Sequence, residues 1–348
     1  MSALSKALPD PAGGAESEAR HYLCYFDINY LTRGLALYAS LRRHGGNFVL
    51  WILCLDQESE AVLRRLALGR IHVLTLSELE LADPALLAVK PGRLPLEYYW
   101  TCGPSALCHI LKLSPQIRSL TYLDADMYFF SDPEALFTIL GNNSILVTDQ
   151  GVVDSRGTGQ FNVGIVIFRN TPNTVRCIRR WREQCLEWCF DRFEDGKHGD
   201  QGYLNNWPDL YDVTIVGPAL AGLAPWNINQ KKLWLDSGWV TCDEGPLVCY
   251  HFARLRRVAK WVYELHDYRF HRTKLNPIAR RHLYAPYVRA LWESESMVLA
   301  ANGRISSASA HNPSTPAGKI RRQRSSSVPW TSLARYQRFM WIIGPWVF

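Results

Sequence analysis

The sequence predicts an α/β protein: a mostly parallel sheet with helices on its faces. Three observations predict it. Short apolar runs bounded by turn residues recur along the chain. They alternate with segments of helical period, which is the order that makes a parallel sheet. One apolar run then delivers an aspartate pair, Asp124 and Asp126, at the sheet edge where open α/β sheets bind ligands.

The elements follow in order. HYLCYF (21–26) reads as a buried strand, followed by Asp27. Residues 31–43 read as a helix, with Leu35, Tyr38, Ala39 and Leu41 near helical spacing, and Gly45-Gly46 ends it. FVLWILCL (48–55) is a second buried strand, 58–68 a helix and IHVLTL (71–76) a third strand. After a Pro-rich turn, 101–113 reads as a helix that feeds the strand opening TYLDADMYFFSDPEALF (121–137). ILVTD (145–149) and FNVGIVIF (161–168) are strands joined by a Gly-rich loop. Residues 174–190 form an amphipathic helix with Val175, Ile178, Trp181, Cys185 and Cys189 on one stripe, and LVCYHF (247–252) is a further strand. There is no internal repeat.

Composition narrows the class. The chain has 348 residues, 47% apolar and 20% charged, enough for a sizeable core. Its net charge of +7 is local: residues 301–348 hold seven of the 39 Lys and Arg and no acid, leaving 32 basic against 32 acidic residues before them. The body is therefore not a basic nucleic-acid binder. The first twenty residues are polar with no apolar core, so no signal peptide is expected, and no apolar run is long enough to cross a bilayer. Nine scattered cysteines suit reduced core residues in a cytoplasmic protein. The expected organisation is a disordered lead-in (1–20), a main domain (21–260), a helical extension (261–300), a basic disordered linker (301–329) and an apolar end segment (330–348).

Burying a lone carboxylate costs several kcal/mol, roughly, unless it is paired or holds a metal. Residues i and i+2 of a strand share a side, so Asp124 and Asp126 are expected to project together. A hard divalent cation resolves their repulsion and shares its oxygens with substrate phosphates. Asp132, before Pro133 and Glu134, reads instead as a helix cap. A phosphoester hydrolase using Asp124 as nucleophile is the alternative, but such enzymes carry the pair on the first strand, and here it lies deep in the chain.

YLDADMYFFSDP, FNVGIVIFRN, GDQGYLNNW and YHF, in that order, resemble the glycogenin-like and lipopolysaccharide-type glycosyltransferases (glycosyltransferase family 8 and bacterial relatives) over roughly residues 21–260. The resemblance implies a GT-A fold and a nucleotide-diphosphate sugar donor, UDP in most members, held through Mn²⁺ or Mg²⁺. It places Asp124, Asp126 and His251 on the metal, Asn162 and Gly164 near the transferred sugar, and Asp200 and Gln201 on the donor sugar. Phe26, Asp27, Asn29, Tyr30 and Arg33 fall where the family cradles base and ribose. The end motif departs from the family's: HFARLRRVAKW puts Arg254 in place of a glycine and Arg257 at the lysine position, with Lys260 three residues on, and either cation can hold the diphosphate.

The resemblance also implies hexosyl transfer with retention, to a glycan, lipid-linked or lipopolysaccharide-type acceptor, with Asp200 positioning the donor. Arg335 and Arg338 beside the aromatic residues of TSLARYQRFMWIIGPWVF (331–348) suggest a segment that lies on an anionic membrane surface, with a last helix docked on the domain as the alternative. The expected location is cytoplasmic, peripheral on the inner membrane face. A non-catalytic nucleotide-sugar-binding scaffold is the remaining reading.

Overall fold

The computed structural model describes residues 19–152, 159–243, 245–259, 262–265, 276–302 and 340–342. Expectations for the lead-in, most of the Gly-rich loop, Lys260, the basic linker and nearly all of the end segment lie outside those residues.

The first half alternates as the apolar runs require: β1 (Arg20–Phe26), α1 (Leu31–His44), β2 (Phe48–Cys54), α2 (Gln57–Leu66) and β3 (Ile71–Thr75). β2 is buried at all seven positions because parallel neighbours flank it and helices cover both faces. Asp56 starts α2 by accepting the Ser59 N–H at 2.7 Å.

Residues 76–113 differ from expectation. They form α3 (Leu76–Ala82), α4 (Pro84–Val89) and a long α5 (Pro95–Leu113). Thr75 and Glu78 form a reciprocal capping box for α3, and Asp83 caps α4 ahead of Pro84. α5 starts at Pro95, not at 101, because proline suits the first helical position and Glu97 accepts the Leu94 N–H at 2.8 Å.

The chain continues through β4 (Ser119–Leu123), β5 (Met127–Phe129), α6 (Glu134–Leu140), β6 (Ile145–Asp149), β7 (Phe161–Arg169) and α7 (Pro172–Glu187). Asp132 Oδ1 accepts the Glu134 N–H at 2.8 Å, the capping role its sequence context indicated. Then come α8 (Trp207–Leu210), β8 (Val213–Val216), α9 (Pro218–Ala221), a ribbon of β9 (Trp234–Asp236), β10 (Trp239–Cys242) and β11 (Gly245–Pro246), and β12 (Cys249–His251). Last are β13 (Arg256–Ala259), β14 (Val262–Glu264), α10 (Pro277–Ala279), a π-helical turn at Arg280–Tyr284, α11 (Ala285–Asn302) and β15 (Met340–Ile342).

The main sheet has seven strands in the order β3-β2-β1-β4-β7-β6-β8. Its pairs are parallel except β4–β7 and β6–β7, so the sheet is mixed but mostly parallel. β5 pairs with β12 in a small antiparallel ribbon that leaves the sheet beside the end of β4. All nine cysteines are free thiols. Near the C-terminus, Met340–Ile342 add antiparallel to β14, so where the alternative reading had a last helix docked on the domain, these three residues form a strand. Among the described residues, no helix is long and apolar enough to cross a membrane.

Candidate metal centre

β4 ends at Leu123, and the next residues turn. The Met127 N–H bonds the Asp124 carbonyl at 3.1 Å, closing a β-turn over Asp124-Ala125-Asp126. The two aspartates therefore share a side through a turn and not through strand alternation. The Asp124 N–H bonds the Gly164 carbonyl on β7 at 2.9 Å, and the Phe252 N–H bonds the Asp126 carbonyl at 2.9 Å. The sheet edge and the β5–β12 ribbon thus fix both ends of the turn.

β12 pairs His251 with Met127, directly beyond Asp126. His251 Nε2 lies 3.0 Å from Asp126 Oδ1 and 3.6 Å from Asp124 Oδ2. One ligand atom from each of the three residues falls within 4.8 Å of the others. Two carboxylate oxygens and one imidazole nitrogen in that space are a donor set suited to a hard or borderline divalent cation. Gly164 makes the approach possible, because a Cβ there would lie 2.9 Å from His251 Nδ1 and 2.6 Å from Asn162 Oδ1.

The electrostatics follow from crowding acids in a buried place. Burial, with the Asp126 charge adding, pushes Asp124 above the usual carboxylate range. Burial also opposes ionisation of Asp126, but His251 and then Arg33 outweigh it and hold Asp126 low. For His251, burial is the largest single effect and opposes the charge, but the charge and hydrogen bond of Asp126 together with the Asp124 charge outweigh it, so its affinity for a proton rises. Asp200 is pushed up to about 8 by burial and then by the Asp124 charge.

The other candidates fall around this centre. Trp181, on the buried stripe of α7, donates from Nε1 to the Asp200 carbonyl at 2.9 Å, so the helix fixes that residue's backbone. Asp200 precedes the 3-10 turn as expected of a cap, but its side chain makes no capping bond there. Gln201 Oε1 accepts from Asn162 Nδ2 at 3.1 Å and from the Val163 N–H at 3.2 Å. Asn162 Oδ1 accepts the Gly164 N–H at 2.9 Å. The two polar pairs from distant sequence thus form one connected network.

At the carboxyl end of β1, Asp27 caps the Ile28–Tyr30 turn and accepts from Asn29 N–H and Nδ2. Phe26 is buried and packs on Gly34, where a Cβ would overlap its ring. Arg33 stacks over Tyr30 at 4.3 Å and donates to the Leu255 carbonyl at 2.9 Å. It ties α1 to the loop after β12. Arg257 is engaged elsewhere, in two hydrogen bonds to the Glu295 carboxylate on α11.

Two neighbours escaped the sequence reading. Tyr122 donates to Asp124 Oδ1 at 2.7 Å, and its position two residues before Asp124 was the available signal. Trp226 meets the His251 ring edge-on at 5.4 Å, and no local pattern marks it.

The nucleotide-diphospho-sugar transferase family pattern matches residues 111–206, which include Asp124, Asp126, Asn162, Gly164, Asp200 and Gln201. The uncharacterized protein YfnD of Bacillus subtilis (strain 168) is 30% identical over 263 residues, 71% of this chain and 83% of that one. The uncharacterized protein YfnF of the same organism is 31% identical over 254 residues, covering 68% and 82%. The galactosyltransferase LgtC, solved with donor and acceptor sugar analogues, aligns with a TM-score of 0.46 at 13% identity, covering 78% of this chain and 95% of that one. The chain belongs to the nucleotide-diphospho-sugar transferases. Its mixed, mostly parallel sheet with flanking helices is the arrangement expected of a GT-A fold.

Proposed function

We propose that the protein is a metal-dependent glycosyltransferase. It moves a sugar, a hexose in the first instance, from a nucleotide-diphosphate donor to a glycan, lipid-linked or lipopolysaccharide-type acceptor, with retention. The observation that carries this reading is the convergence of Asp124, Asp126 and His251 at the end of β4, in a chain of this family. Those three residues would hold Mn²⁺ or Mg²⁺, which when bound supplies positive charge to the diphosphate and the leaving nucleotide.

The chain's own groups do the rest in this reading. Asp27, Asn29, Tyr30 and Arg33 line the base and ribose side, with Phe26 packed beneath them. Asn162, Gly164 and Gln201 orient the sugar. Burial and the Asp124 charge raise the proton affinity of Asp200 in the metal-free protein, and in this reading its carboxyl hydrogen-bonds a sugar hydroxyl and positions it. Arg257 would have to leave Glu295 to reach a diphosphate, which makes Lys260 the first cation to substitute. The transferase domain spans 21–260, and the basic tail brings it to the cytoplasmic face of an anionic membrane.

Calorimetry of nucleoside diphosphates, UDP first, with and without Mn²⁺ tests the proposal. Wild type is expected to bind UDP only with the metal, and Asp126→Ala to lose that binding. If no nucleoside diphosphate binds in a metal-dependent way, the transferase reading fails, and phosphoester hydrolysis at Asp124 or a scaffold role takes its place. NMR of the product's anomeric configuration tests retention separately, and an inverted product would recast Asp200 as general base.

A further inference from the structure

A cavity of about 830 Å³ opens between the C-terminal half of α1 and the start of α11. Among the described residues, Arg43, Arg280, Arg281 and Arg289 line it, with Glu293 as the single acid, and buried Tyr128 and Ala290 close its floor. Arg33 and Arg43 are ten residues apart on one helix, so the cavity stands about 15 Å along α1 from the nucleotide side of the candidate centre.

Its basic rim is built by a local distortion. Pro286 has no N–H for the His282 carbonyl, and its ring would crowd that group. The chain responds with a π turn, in which the Ala285 N–H bonds the Arg280 carbonyl. π turns are rare and are frequent at functional sites. This one carries Arg280 and Arg281 in succession, both exposed, across from exposed Arg43.

These arginines differ from the ion-paired ones among the described residues. Arg20, Arg64, Arg182, Arg256 and Arg257 each sit on a carboxylate. Arg43, Arg280 and Arg281 make no side-chain hydrogen bond or ion pair among the described residues. Three such guanidinium groups facing one concavity repel one another, and an anion relieves that repulsion. Their planar forks match phosphate oxygens two at a time, and the positive charge exceeds what one carboxylate balances.

We infer that this cavity is a second anion site that takes a phosphate-bearing ligand, independent of the metal centre. The phosphate could belong to a soluble diphosphate or to an anionic lipid headgroup, and the two sources are separable. The full-length chain is titrated with inorganic pyrophosphate in excess EDTA, which silences metal-dependent binding. It is also floated with phosphatidylglycerol vesicles. The variants are Arg280→Glu/Arg281→Glu, Arg43→Ala on the opposite wall, and Asp126→Ala as a control, each checked by thermal melting.

Pyrophosphate binding without metal, weakened about tenfold or more in both arginine variants and kept in Asp126→Ala, supports the soluble source. Vesicle binding that both arginine variants lose, without pyrophosphate binding, supports the lipid source. The inference is overturned if pyrophosphate binding is absent or equal in wild type and arginine variants and vesicle binding is also absent or equal in them, since equal flotation alone is what the basic tail would give.

Discussion

A Cβ at Gly164 would meet Asn162 Oδ1 and His251 Nδ1 inside ordinary contact distance, and neither neighbour is free to move. Asn162 is held by Gln201, and His251 is buried between Asp126 and Trp226. Gly164→Ala is therefore expected to tilt the imidazole away from the aspartates. Overpacking of this kind costs about 1–3 kcal/mol of stability, and Mn²⁺-dependent UDP binding should weaken about tenfold or more. Parallel denaturation and calorimetry would check both, and unchanged nucleotide affinity would show that Gly164 does not set the position of His251. Asp200 gives a pH prediction. Its carboxyl keeps a proton in the folded protein up to about pH 8, whereas in the unfolded chain it loses it near 3.8. Between those values the folded state binds more protons, so the Asp200 contribution makes the metal-free protein less stable as pH rises, levelling off above pH 8. Asp200→Asn removes that contribution. Urea unfolding in EDTA from about pH 5 to about pH 8 should show a flatter slope for the variant than for wild type.

At the scale of elements, the amphipathic α7 shows how a helix far along the chain sets a catalytic candidate in place. Thr171 caps it by accepting the Thr174 N–H, and its buried stripe presents Trp181 to the Asp200 carbonyl. Trp181→Phe keeps most of the ring volume but leaves that carbonyl unsatisfied. A loss of about 1–3 kcal/mol is expected, with faster hydrogen exchange at the Gln201 amide. Unchanged exchange there would mean that Asp200 is fixed by other contacts. This helix was legible because its apolar positions repeat at 3.6 over four turns, and the strands were legible because each is a short apolar run between turn residues. Residues 76–92 were not. α3 and α4 span only seven and six residues, too short for a period to register, although Thr75–Glu78 and Asp83–Pro84 were cap signals in plain sight. The Asp124–Asp126 pair was found for a partly wrong reason: the residues are adjacent in space because of a turn, and turn geometry has no apolar period. Trp226 and the Arg257–Glu295 pair depend on tertiary contacts between segments far apart in the chain, which a local pattern cannot carry.

At the scale of the whole molecule, charge is divided between a neutral body and a basic C-terminus. Every lining residue of the metal centre precedes residue 302, and all seven cationic residues of the last 48 follow it. β15 also lies in that C-terminal segment and pairs with β14, so the segment touches the fold at one sheet edge. A chain ended after residue 302 therefore separates two roles. The proposed transferase centre should survive, with Mn²⁺-dependent UDP affinity close to that of the full chain. The proposed membrane attraction should fall, because each Lys or Arg near an anionic surface contributes roughly 1 kcal/mol and seven of them are removed. Flotation with phosphatidylglycerol vesicles should then weaken sharply for the shortened chain. For the full chain it should decline as salt rises from about 0.05 M to about 0.5 M, as screening shortens the reach of the lipid charge. Amides of Val262–Glu264 should exchange faster once β15 no longer pairs with them. If the shortened chain floats as well as the full one, the tail does not supply the attraction, and the arginine cavity between α1 and α11 becomes the place to look. If instead it loses nucleotide affinity, the pairing of β15 with β14 supports the loop that follows β12, and the tail belongs to the catalytic fold.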